Sequence, residues 1–402
     1  MSASHRYTII SADCHAGGNH DQYREYLETN LIDQFDEWRS RYRNPFRDLQ
    51  DDGRTRNWDG DRRVFEQQQD GVVAEVIFPN TIPPFFPTGQ VIAPAPNAAD
   101  FALRLAGLRA HNRWLADFCH ELPGRRAGLA QVLLNDLDEA LHDVRWAKEH
   151  GLAGVLLPGV SPDTPWIQPL FAPHYDPLWA LCEELDMTIT HHSGGSGIPS
   201  YGRHAATTAI FVLETGFFAN RALWHLTMAG VFERFPRLRL VMTEQGCAWV
   251  PEALRRMDAI HDQMASGRIG ELVVQTDAVL ARRPSEYFAT NCYVGASFPT
   301  PSDTALCRSI GLDRIMWGSD YPHHESTYPF TRESLRLSFH DFAQDELDQI
   351  LGGTAARVYG FEMKRLAPIA AEYGPTSEEL AVPLDVIPSA ATSPAFGAMY
   401  GR

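Results

Sequence analysis

The stretch "YTIISADCHAG", residues 7–17, places a carboxylate and an imidazole two residues apart at the end of the first apolar run. A near-continuous apolar, β-branched run of this length predicts a strand that is buried on both faces. Side chains alternate between the two faces of a strand, so we expect Asp13 and His15 to point the same way and Cys14 to point away. The end of this strand therefore offers a carboxylate and an imidazole to one side of the fold.

Seven further runs of the same kind follow, mostly separated by helical patterns. They cover residues 72–78, 127–134, 152–157, 187–192, 238–244, 287–294 and 314–320. Clear helical patterns cover residues 140–151, 177–186 and 345–361. Apolar strands that alternate with helices predict a parallel sheet covered on both faces. Eight such units predict a (β/α)8 TIM-type barrel, with an open, doubly wound sheet as the alternative.

The predicted barrel domain covers residues 1–363, and residues 364–402 form a C-terminal extension rich in Ala and Pro. Two long insertions, about 16–70 and 79–100, follow the first and second strands. Both begin at the carboxyl ends of strands, where barrel enzymes build their sites. The second is rich in Pro and Phe, and we expect either a pocket wall or lid, or a packing or subunit-contact loop. The extension is expected to wrap the surface or a neighbouring subunit, so a homodimer is possible.

The composition narrows the choice of partners. The chain has 402 residues, with 35 Lys and Arg against 51 Asp and Glu, which gives a formal net charge of −16. This balance argues against nucleic acid or an anionic membrane as the main partner, but not against a small-molecule substrate. No apolar run reaches the ~18 residues of a membrane span. The six scattered cysteines and the absence of a signal-peptide pattern predict reduced thiols in the cytoplasm.

Polar residues end three more of the predicted strands. The fifth ends at His191 and His192, the sixth at Glu244 and the eighth at Asp320. Only one of the two adjacent histidines can point into the barrel mouth. A single strand-end Asp usually caps a helix or forms a turn. Four strands that all deliver imidazoles or carboxylates to one face instead predict a catalytic divalent metal site.

The segments "ADCH", "HHSGG", "GVFERFPRLRLVMTEQGCAWVPEALRRMD" and "RIMWGSDYPH" together resemble the amidohydrolase superfamily. They are most similar to the amidohydrolase-2 group, which is related to aminocarboxymuconate-semialdehyde decarboxylase. The resemblance covers residues from about 7 to 361 and is weakest over 16–70. It implies a (β/α)8 barrel with a divalent metal at its carboxyl-terminal mouth.

The resemblance also implies roles for individual residues. The family's motif of a ligand, any residue and His corresponds to Asp13 and His15. Its strand-five His is followed closely by small residues, which fits His192 better than His191. Its strand-eight Asp corresponds to Asp320, which would bind the metal and orient or deprotonate the attacking water.

Two departures from the family pattern affect the expected chemistry. Binuclear relatives often carry a Lys at the end of strand four, and the "GVLLPG" sequence here has none, so we expect one metal ion. Zn²⁺ is the first choice, with Mn²⁺ or Fe²⁺ as alternatives. Glu244 stands where the decarboxylases usually have a catalytic His. A Glu can bind metal or act as a general base, but it protonates a carbanion less readily unless burial raises its pKa.

These patterns predict a metal-dependent hydrolase that acts on a small organic acid, aromatic or alicyclic. A decarboxylase or hydratase on the same scaffold is the alternative, and a barrel that only binds a ligand is a third possibility. Asp320 and Glu244 are the predicted catalytic residues, and both could join Asp13, His15 and His192 as metal ligands. The candidate substrate contacts are Arg203, His204, His323, His324, Phe85, Phe86 and Trp249. Each of these could equally be an ordinary loop or packing residue.

Overall fold

Eight parallel strands follow one another around the sheet in the order in which they occur in the chain. This is a computed structural model, and it describes residues 4–44, 49, 52–88, 93–274 and 279–397. The strands are β1 (Ile9–Ala16), β2 (Val72–Pro79), β3 (Arg126–Gln131), β4 (Gly154–Leu156), β5 (Thr188–His192), β6 (Leu240–Thr243), β7 (Cys292–Ser297) and β8 (Ile315–Gly318). A doubly wound sheet would reverse its strand order at a switch point. The sequential order instead confirms the predicted (β/α)8 barrel.

The barrel closes where β1 meets β8. The backbone N–H of His15 donates to the Tyr321 carbonyl at 2.7 Å, and that of Asp320 donates to the Asp13 carbonyl at 2.9 Å. Gly318 permits this approach, because a Cβ atom at that position would lie only 2.7 Å from the Cβ of Asp13. The seam between the first and last strands therefore passes directly through the predicted site.

Sixteen α-helices lie in the described part of the chain. They are α1 (His20–Glu25), α2 (Ile32–Arg41), α3 (Gly60–Gln69), α4 (Phe101–His120), α5 (Leu137–Glu149), α6 (Asp176–Glu184), α7 (Thr207–Met228), α8 (Val231–Arg234), α9 (Val250–Ala265), α10 (Pro284–Asn291), α11 (Pro301–Ile310), α12 (Thr331–Phe339), α13 (Gln344–Asp348), α14 (Thr354–Tyr359), α15 (Met363–Tyr373) and α16 (Ser377–Leu380). A short antiparallel hairpin, Arg268–Ile269 with Leu272–Val273, follows α9. None of the described helices has both the length and the apolar composition required to cross a bilayer.

The seventh strand begins later than the sequence pattern predicts. Residues 284–291 form α10, and β7 starts only at Cys292. Pro284 occupies the first helical turn, and the Glu286 carboxylate accepts a hydrogen bond from the Arg283 N–H at 2.9 Å. This proline and capping interaction favour a helix over the β-propensity of "YFATN". The predicted helix over 345–361 is likewise divided, because a π-helical turn at 349–353 separates α13 from α14.

Two apolar layers stabilise the barrel. The larger lies between the strands and the surrounding helices and includes Ile189, Leu223 and Trp317. The second joins Ile10 and Val73 to the helices that follow β8. The Thr188 hydroxyl donates to the Val358 carbonyl at 3.3 Å, so these helices cover the amino ends of the strands. The carboxyl ends are left for the site.

The insertions and the extension pack onto the barrel of the same chain. The first insertion contains α1, α2 and α3, whereas the described residues of 79–100 beyond Pro79 form neither helix nor strand. In the extension, the Pro375 carbonyl accepts from the Tyr7 N–H at 3.0 Å, and Phe396 is buried. The described extension therefore wraps the surface of its own chain. Parts of all three predicted segments, residues 45–48, 50–51, 89–92 and 398–402, lie outside the described residues.

Candidate metal centre

The ends of β1 and β5 bring a carboxylate and two imidazoles together at the barrel mouth. Asp13 Oδ1 lies 3.3 Å from His15 Nε2 and 3.4 Å from His192 Nε2. All three side chains are buried. Cys14 points to the other side, where its sulfur lies 3.5 Å from the Ser319 hydroxyl. The period-two alternation of β1 therefore places Asp13 and His15 on one face, as the sequence pattern predicts.

Asp320 follows β8 and joins the same cluster. Its Oδ1 lies 3.2 Å from His15 Nε2, and its side chain is fully buried. Its backbone has φ of 63°, in the left-handed region, as does Glu244 after β6 with φ of 61°. Non-glycine residues adopt this region at a cost of about 1 kcal/mol or more, and such residues concentrate at functional sites. We call Asp13, His15, His192 and Asp320 the metal cluster.

Four buried polar atoms of the metal cluster have no hydrogen-bond partner among the residues that the structure describes. They are Asp13 Oδ1, His15 Nε2, His192 Nε2 and Asp320 Oδ2. Leaving one such atom unsatisfied costs about 1–3 kcal/mol, so four together require an explanation. The separations of 3.2–3.4 Å match roughly the spacing of ligands that each lie about 2.1 Å from one ion. Asp13, His15 and His192 offer ligand atoms that all lie within 4.8 Å of one another, and Asp320 lies beside them at His15. The cluster therefore fits a divalent cation with nitrogen and oxygen ligands.

The surrounding atoms orient the imidazoles for this role. His15 Nδ1 lies 3.2 Å from the Pro79 carbonyl, which fixes the ring proton on Nδ1 and leaves Nε2 with a free lone pair. At His192, Nδ1 accepts a hydrogen bond from the Gly194 N–H at 3.2 Å and lies 3.3 Å from Glu244 Oε2. A metal at Nε2 would need the other tautomer, in which Nδ1 donates to the Glu244 carboxylate. Glu244 is thus on the outer side of His192, where it also accepts a hydrogen bond from Ser193.

The carboxylates of the metal cluster attract positive charge. Burial raises the pKa of Asp13, but the adjacent His15 and His192 imidazoles outweigh burial and hold that pKa well below its usual range. Burial lowers the pKa of His15, yet Asp13 and Asp320 raise it well above its ordinary value. The two carboxylates therefore favour a positive charge next to His15 Nε2. A divalent cation would satisfy the same negative charge.

Glu244 titrates differently from its neighbours. Burial raises its pKa, and the nearby Asp320 and Asp13 carboxylates raise it further, while His192 lowers it. One of its oxygens lies within 4.8 Å of ligand atoms of Asp320, His323 and Glu325. Glu244 is therefore close to the metal cluster, but it contacts His192 at Nδ1 and not at the unsatisfied Nε2.

His323 extends the metal cluster towards the second strand. Its Nδ1 lies 2.9 Å from Asp320 Oδ1, and its Nε2 lies 3.2 Å from Asn80 Oδ1. Its ring lies 4.1 Å from that of His15. Burial lowers the pKa of His323, but Asp320 outweighs burial and raises it to about 9. His323 is thus a protonated imidazole beside a carboxylate at the barrel mouth.

His191 lies on the opposite side of β5 from the metal cluster. Its nearest charged neighbours other than His192 are Arg221 and His225 of α7. Burial lowers its pKa to about 4, so it stays neutral. The structure therefore places His192, and not His191, beside Asp13 and His15.

The other residues proposed to contact substrate have different surroundings. Arg203, His204 and His324 are exposed on loops. Phe86 lies beneath the Arg104 guanidinium at 3.9 Å, and its carbonyl accepts from the Trp38 indole at 2.9 Å. These contacts anchor the Pro/Phe-rich loop to α2 and α4.

Two aromatic candidates are held in the surrounding structure. Phe85 packs near Trp38 with ring centroids 6.1 Å apart. Trp249 precedes α9, and its indole N–H is buried without a hydrogen-bond partner. Their contacts support a packing role for Phe85 and leave the Trp249 N–H without a protein acceptor among the described residues.

Three residues of the site were missed from the sequence. Ser297, at the end of β7, donates to Asp13 Oδ2, and Asn80, directly after β2, contacts His323. Phe78 packs its ring 4.6 Å from that of His192. All three lie at strand ends, so the same reasoning would have found them had it included neutral polar and aromatic residues.

A second buried charge cluster lies one peptide away from the metal cluster. The Arg63 guanidinium donates to the His15 carbonyl at 2.8 Å and forms an ion pair with Glu75 on β2. Gln67 donates to the same carboxylate at 2.7 Å, and Arg126 lies 3.5 Å from it. We call Arg63, Gln67, Glu75 and Arg126 the arginine cluster. Through Arg63, this cluster fixes the position of the His15 backbone carbonyl.

A model of the amidohydrolase family matches residues 52–361. The chain belongs to this family. The match covers more than three quarters of the chain. It includes two of the four metal-cluster residues, His192 and Asp320, together with Glu244, while Asp13 and His15 precede it.

A curated relative of this amidohydrolase is the gamma-resorcylate decarboxylase of Rhodococcus jostii (strain RHA1). It is 30% identical over 252 residues, which cover 59% of this chain and 70% of the relative. The expectation of hydrolysis is not confirmed by this comparison, which favours the alternative of decarboxylation.

Two solved structures share the fold. The 5-carboxyvanillate decarboxylase of Novosphingobium aromaticivorans DSM 12444, with manganese and 4-hydroxy-3-methoxy-5-nitrobenzoic acid, has a TM-score of 0.64 and 19% identity, and covers 88% of this chain and 96% of its own. The dihydroxybenzoic acid decarboxylase of Polaromonas sp. JS666, with manganese and 2-nitroresorcinol, has a TM-score of 0.60 and 18% identity, and covers 88% and 97%. Both contain manganese, so the expectation of zinc in particular is not confirmed.

Proposed function

We propose that this amidohydrolase is a metal-dependent decarboxylase of hydroxylated aromatic carboxylic acids. The observation that carries the proposal is the set of four unsatisfied buried atoms on Asp13, His15, His192 and Asp320, which fits one divalent cation. The likeness to gamma-resorcylate decarboxylase supports the reaction type. The manganese in the related structures makes Mn²⁺ the first metal to test.

Asp13, His15, His192 and Asp320 would hold the metal. The bound ion would supply a positive centre that binds the oxygens of an anionic substrate and stabilises the charge that develops on them. Phe78 and the interior of the barrel provide the dry surroundings in which such a charge interaction is strong.

Asp320 and His323 are placed to supply the proton that replaces the carboxyl group on the ring carbon. Decarboxylation breaks the bond between the ring carbon and the carboxyl carbon, CO₂ leaves, and the electron pair on the ring carbon takes a proton. In this proposal the protonated His323, 2.9 Å from Asp320, gives its proton to the Asp320 carboxylate, which passes it to the ring carbon. Asn80 holds His323 in place from the other nitrogen.

Glu244 has an orienting role in this proposal. Its Oε2 lies 3.3 Å from His192 Nδ1. When a metal takes Nε2, the ring proton would sit on Nδ1, and the Glu244 carboxylate would accept a hydrogen bond from it. Removing such an outer partner typically lowers metal affinity by about 10–100-fold. Burial raises the pKa of Glu244, which makes its carboxyl group better suited to proton transfer than that of an ordinary Glu.

The reaction type is tested by product analysis. The protein is loaded with Mn²⁺ and incubated with 2,6-dihydroxybenzoate and related hydroxybenzoates, and CO₂ release is measured. We expect CO₂ and the corresponding phenol, with a loss of about 10³-fold or more in Asp320→Asn because the proton donor is removed. If no acid releases CO₂ but a panel of esters, amides and lactones is cleaved with oxygen from labelled water, the enzyme is a hydrolase.

The metal ligands are tested separately by metal content. Bound metal is measured by mass spectrometry in the wild type and in the His15→Ala and His192→Ala variants, with His191→Ala as the matched control. We expect the two ligand variants to lose the metal and the control to retain it. Equal metal content in His192→Ala and His191→Ala would contradict the assignment.

A further inference from the structure

The metal cluster leaves one arc of the barrel wall unused. Its residues come from β1, β5 and the segment after β8, whereas β2, β3 and β4 lie side by side between β1 and β5 and contribute none. Active sites of barrels are built at the carboxyl ends of the strands. The carboxyl ends of β2, β3 and β4 therefore border the space beside the metal in which a substrate can bind.

Gln131 is the last residue of β3, and its side chain faces this space. Ala127 and Leu129 belong to the second, inner apolar layer, whereas Ala130 belongs to the layer between the strands and the helices. Side chains alternate along a strand, so Gln131 lies on the same face as Leu129. Leu156, its partner on β4, also packs on the inner layer. Gln131 is therefore the residue that β3 presents to the barrel mouth.

The backbone of Gln131 is fixed by one buried side chain. Asn112 of α4 donates from Nδ2 to the Gln131 carbonyl at 2.8 Å and accepts from the Gln131 N–H at 3.0 Å. Asn112 is itself buried. Two hydrogen bonds from one amide hold the peptide group in both position and orientation, as a functional side chain on it requires.

The side-chain amide of Gln131 lacks a partner. Its Nε2 is buried and has no hydrogen-bond partner among the described residues. Buried polar groups are nearly always hydrogen-bonded, so this amide calls for a ligand or a bound water. Rotation about the terminal torsion can bring either the nitrogen or the carbonyl oxygen to face the mouth. A hydroxyl group both donates and accepts, so it fits the amide in either orientation.

The neighbours of Gln131 do not compete for such a ligand. Asn80, directly after β2, already donates from Nδ2 to Asn57 Oδ1 at 2.7 Å, and its Oδ1 lies 3.2 Å from His323 Nε2. Phe78 at the same strand end is apolar. An aromatic acid beside the metal would thus meet an apolar wall at Phe78 and an unpaired amide at Gln131.

We propose that Gln131 binds a hydroxyl group on the aromatic ring of the substrate and makes the enzyme selective for acids that carry one there. The inference rests on the proposed function, because it names the part of that substrate which this side of the site recognises. A site whose amide is placed for a hydroxyl rejects the analogue that lacks it, since the amide is then left unpaired. Gln131 takes no part in holding the metal or in supplying the proton.

Two compounds that differ by one hydroxyl test the inference. 2-Nitroresorcinol and 2-nitrophenol have no carboxyl group to lose, and their dissociation constants are measured by calorimetry on the Mn²⁺-loaded protein. We expect the wild type to bind 2-nitroresorcinol about 10-fold more tightly than 2-nitrophenol, and Gln131→Met to bind the two within about twofold of each other. Gln69→Met is the matched control, since Gln69 is exposed at the end of α3. It should keep the wild-type ratio, and the same ratio in Gln131→Met would overturn the inference.

Steady-state kinetics separate recognition from a structural role. With 2,6-dihydroxybenzoate, Gln131→Met should raise KM by about 10-fold and leave kcat and bound Mn²⁺ within about twofold of the wild type, because the interaction is made equally in the ground state and the transition state. A loss confined to kcat, or a loss of Mn²⁺, would contradict the assignment. Gln131→Asn is the second variant should Gln131→Met fold poorly. It retains an amide but withdraws it by about 1.5 Å, so full discrimination in Gln131→Asn would also contradict it.

The outcomes distinguish this inference from the proposed function. Release of CO₂ by the wild type, with an unchanged affinity ratio in Gln131→Met, would overturn the role of Gln131 alone. Selective binding that is lost in Gln131→Met, without CO₂ release from any acid, would support the hydroxyl site and overturn the reaction. A wild type that does not distinguish the two compounds would overturn the inference, whichever reaction it catalyses.

Discussion

The metal cluster and the arginine cluster both contain buried carboxylates, but their negative charge is balanced by different groups. Both contain carboxylates that are removed from water, and a single peptide at His15 connects them. In the arginine cluster the chain supplies its own cations, so Arg63 and Arg126 pull the pKa of Glu75 below its usual value against the effect of burial. The metal cluster has two carboxylates, two imidazoles and four unsatisfied atoms. The difference shows where the fold leaves a positive charge to be supplied from outside.

Asp70 represents a third solution to the same problem. It is buried at the end of α3, where its carboxylate accepts the Thr331 N–H at 3.1 Å. Burial raises its pKa to about 7. A proton therefore neutralises Asp70, an arginine neutralises Glu75, and a metal ion is the proposed partner of Asp13 and Asp320.

Removing the internal cation should have the largest effect on stability. Arg63→Met leaves Glu75 buried without its main partner, and we expect a loss of about 3–5 kcal/mol in the free energy of unfolding, measured by urea denaturation. Arg62→Met is the control, because Arg62 pairs with Glu66 in a partly exposed position and should cost about 1 kcal/mol or less. Equal losses in the two variants would mean that the arginine cluster does not depend on its buried charge.

Adding Mn²⁺ should have an intermediate effect on the free energy of unfolding. Mn²⁺ at 100 times its dissociation constant should stabilise the wild type by about 2.7 kcal/mol. For a chain of this length we expect a rise of roughly 3 °C in Tm by differential scanning calorimetry. Asp13→Asn should abolish the rise, whereas His191→Ala should keep it. A rise that persists in Asp13→Asn would place the ion elsewhere.

Protonation of Asp70 should have the smallest effect on the free energy of unfolding. An acid whose pKa is raised from 3.8 to about 7 by folding makes the folded state less stable as the pH rises through this range. Asp70→Asn cannot ionise, so its stability relative to the wild type should increase by at least about 1 kcal/mol between pH 5 and pH 8. Urea denaturation at both pH values measures the difference. A difference that does not change with pH would show that Asp70 is ionised throughout.

The sequence predicted those features that depend on local periodicity. The alternation of β1 is a property of eight residues, and it places Asp13 and His15 together in the structure. The order and number of the strands also follow from apolar runs, which confirms the barrel. The predicted start of β7 was wrong. A proline and a capping glutamate at the start of α10 outweigh the β-propensity of residues 284–291.

Other features depend on contacts between distant segments and are invisible to local patterns. Alternation alone could not choose between His191 and His192, since that choice depends on which face of β5 meets β1. Glu244 was expected to bind the metal or transfer a proton, but its position at the outer nitrogen of His192 follows from the left-handed backbone after β6. The exposure of the apolar residues 207–218 of α7 was also missed, because an apolar helix in a sequence does not reveal which half the barrel covers.

The seam that closes the barrel determines when during synthesis the cation site can exist. It joins segments from opposite ends of the domain, such as Ser11 and Ser319, which are 308 positions apart and share a hydrogen bond of 3.0 Å. A growing chain makes Asp13 and His15 first, and at about 5–20 residues per second it waits tens of seconds for Asp320. Contacts of such long range also form late because closing the intervening loop is entropically costly. Tight cation binding would therefore begin only after β8 has paired with β1 and closed the barrel.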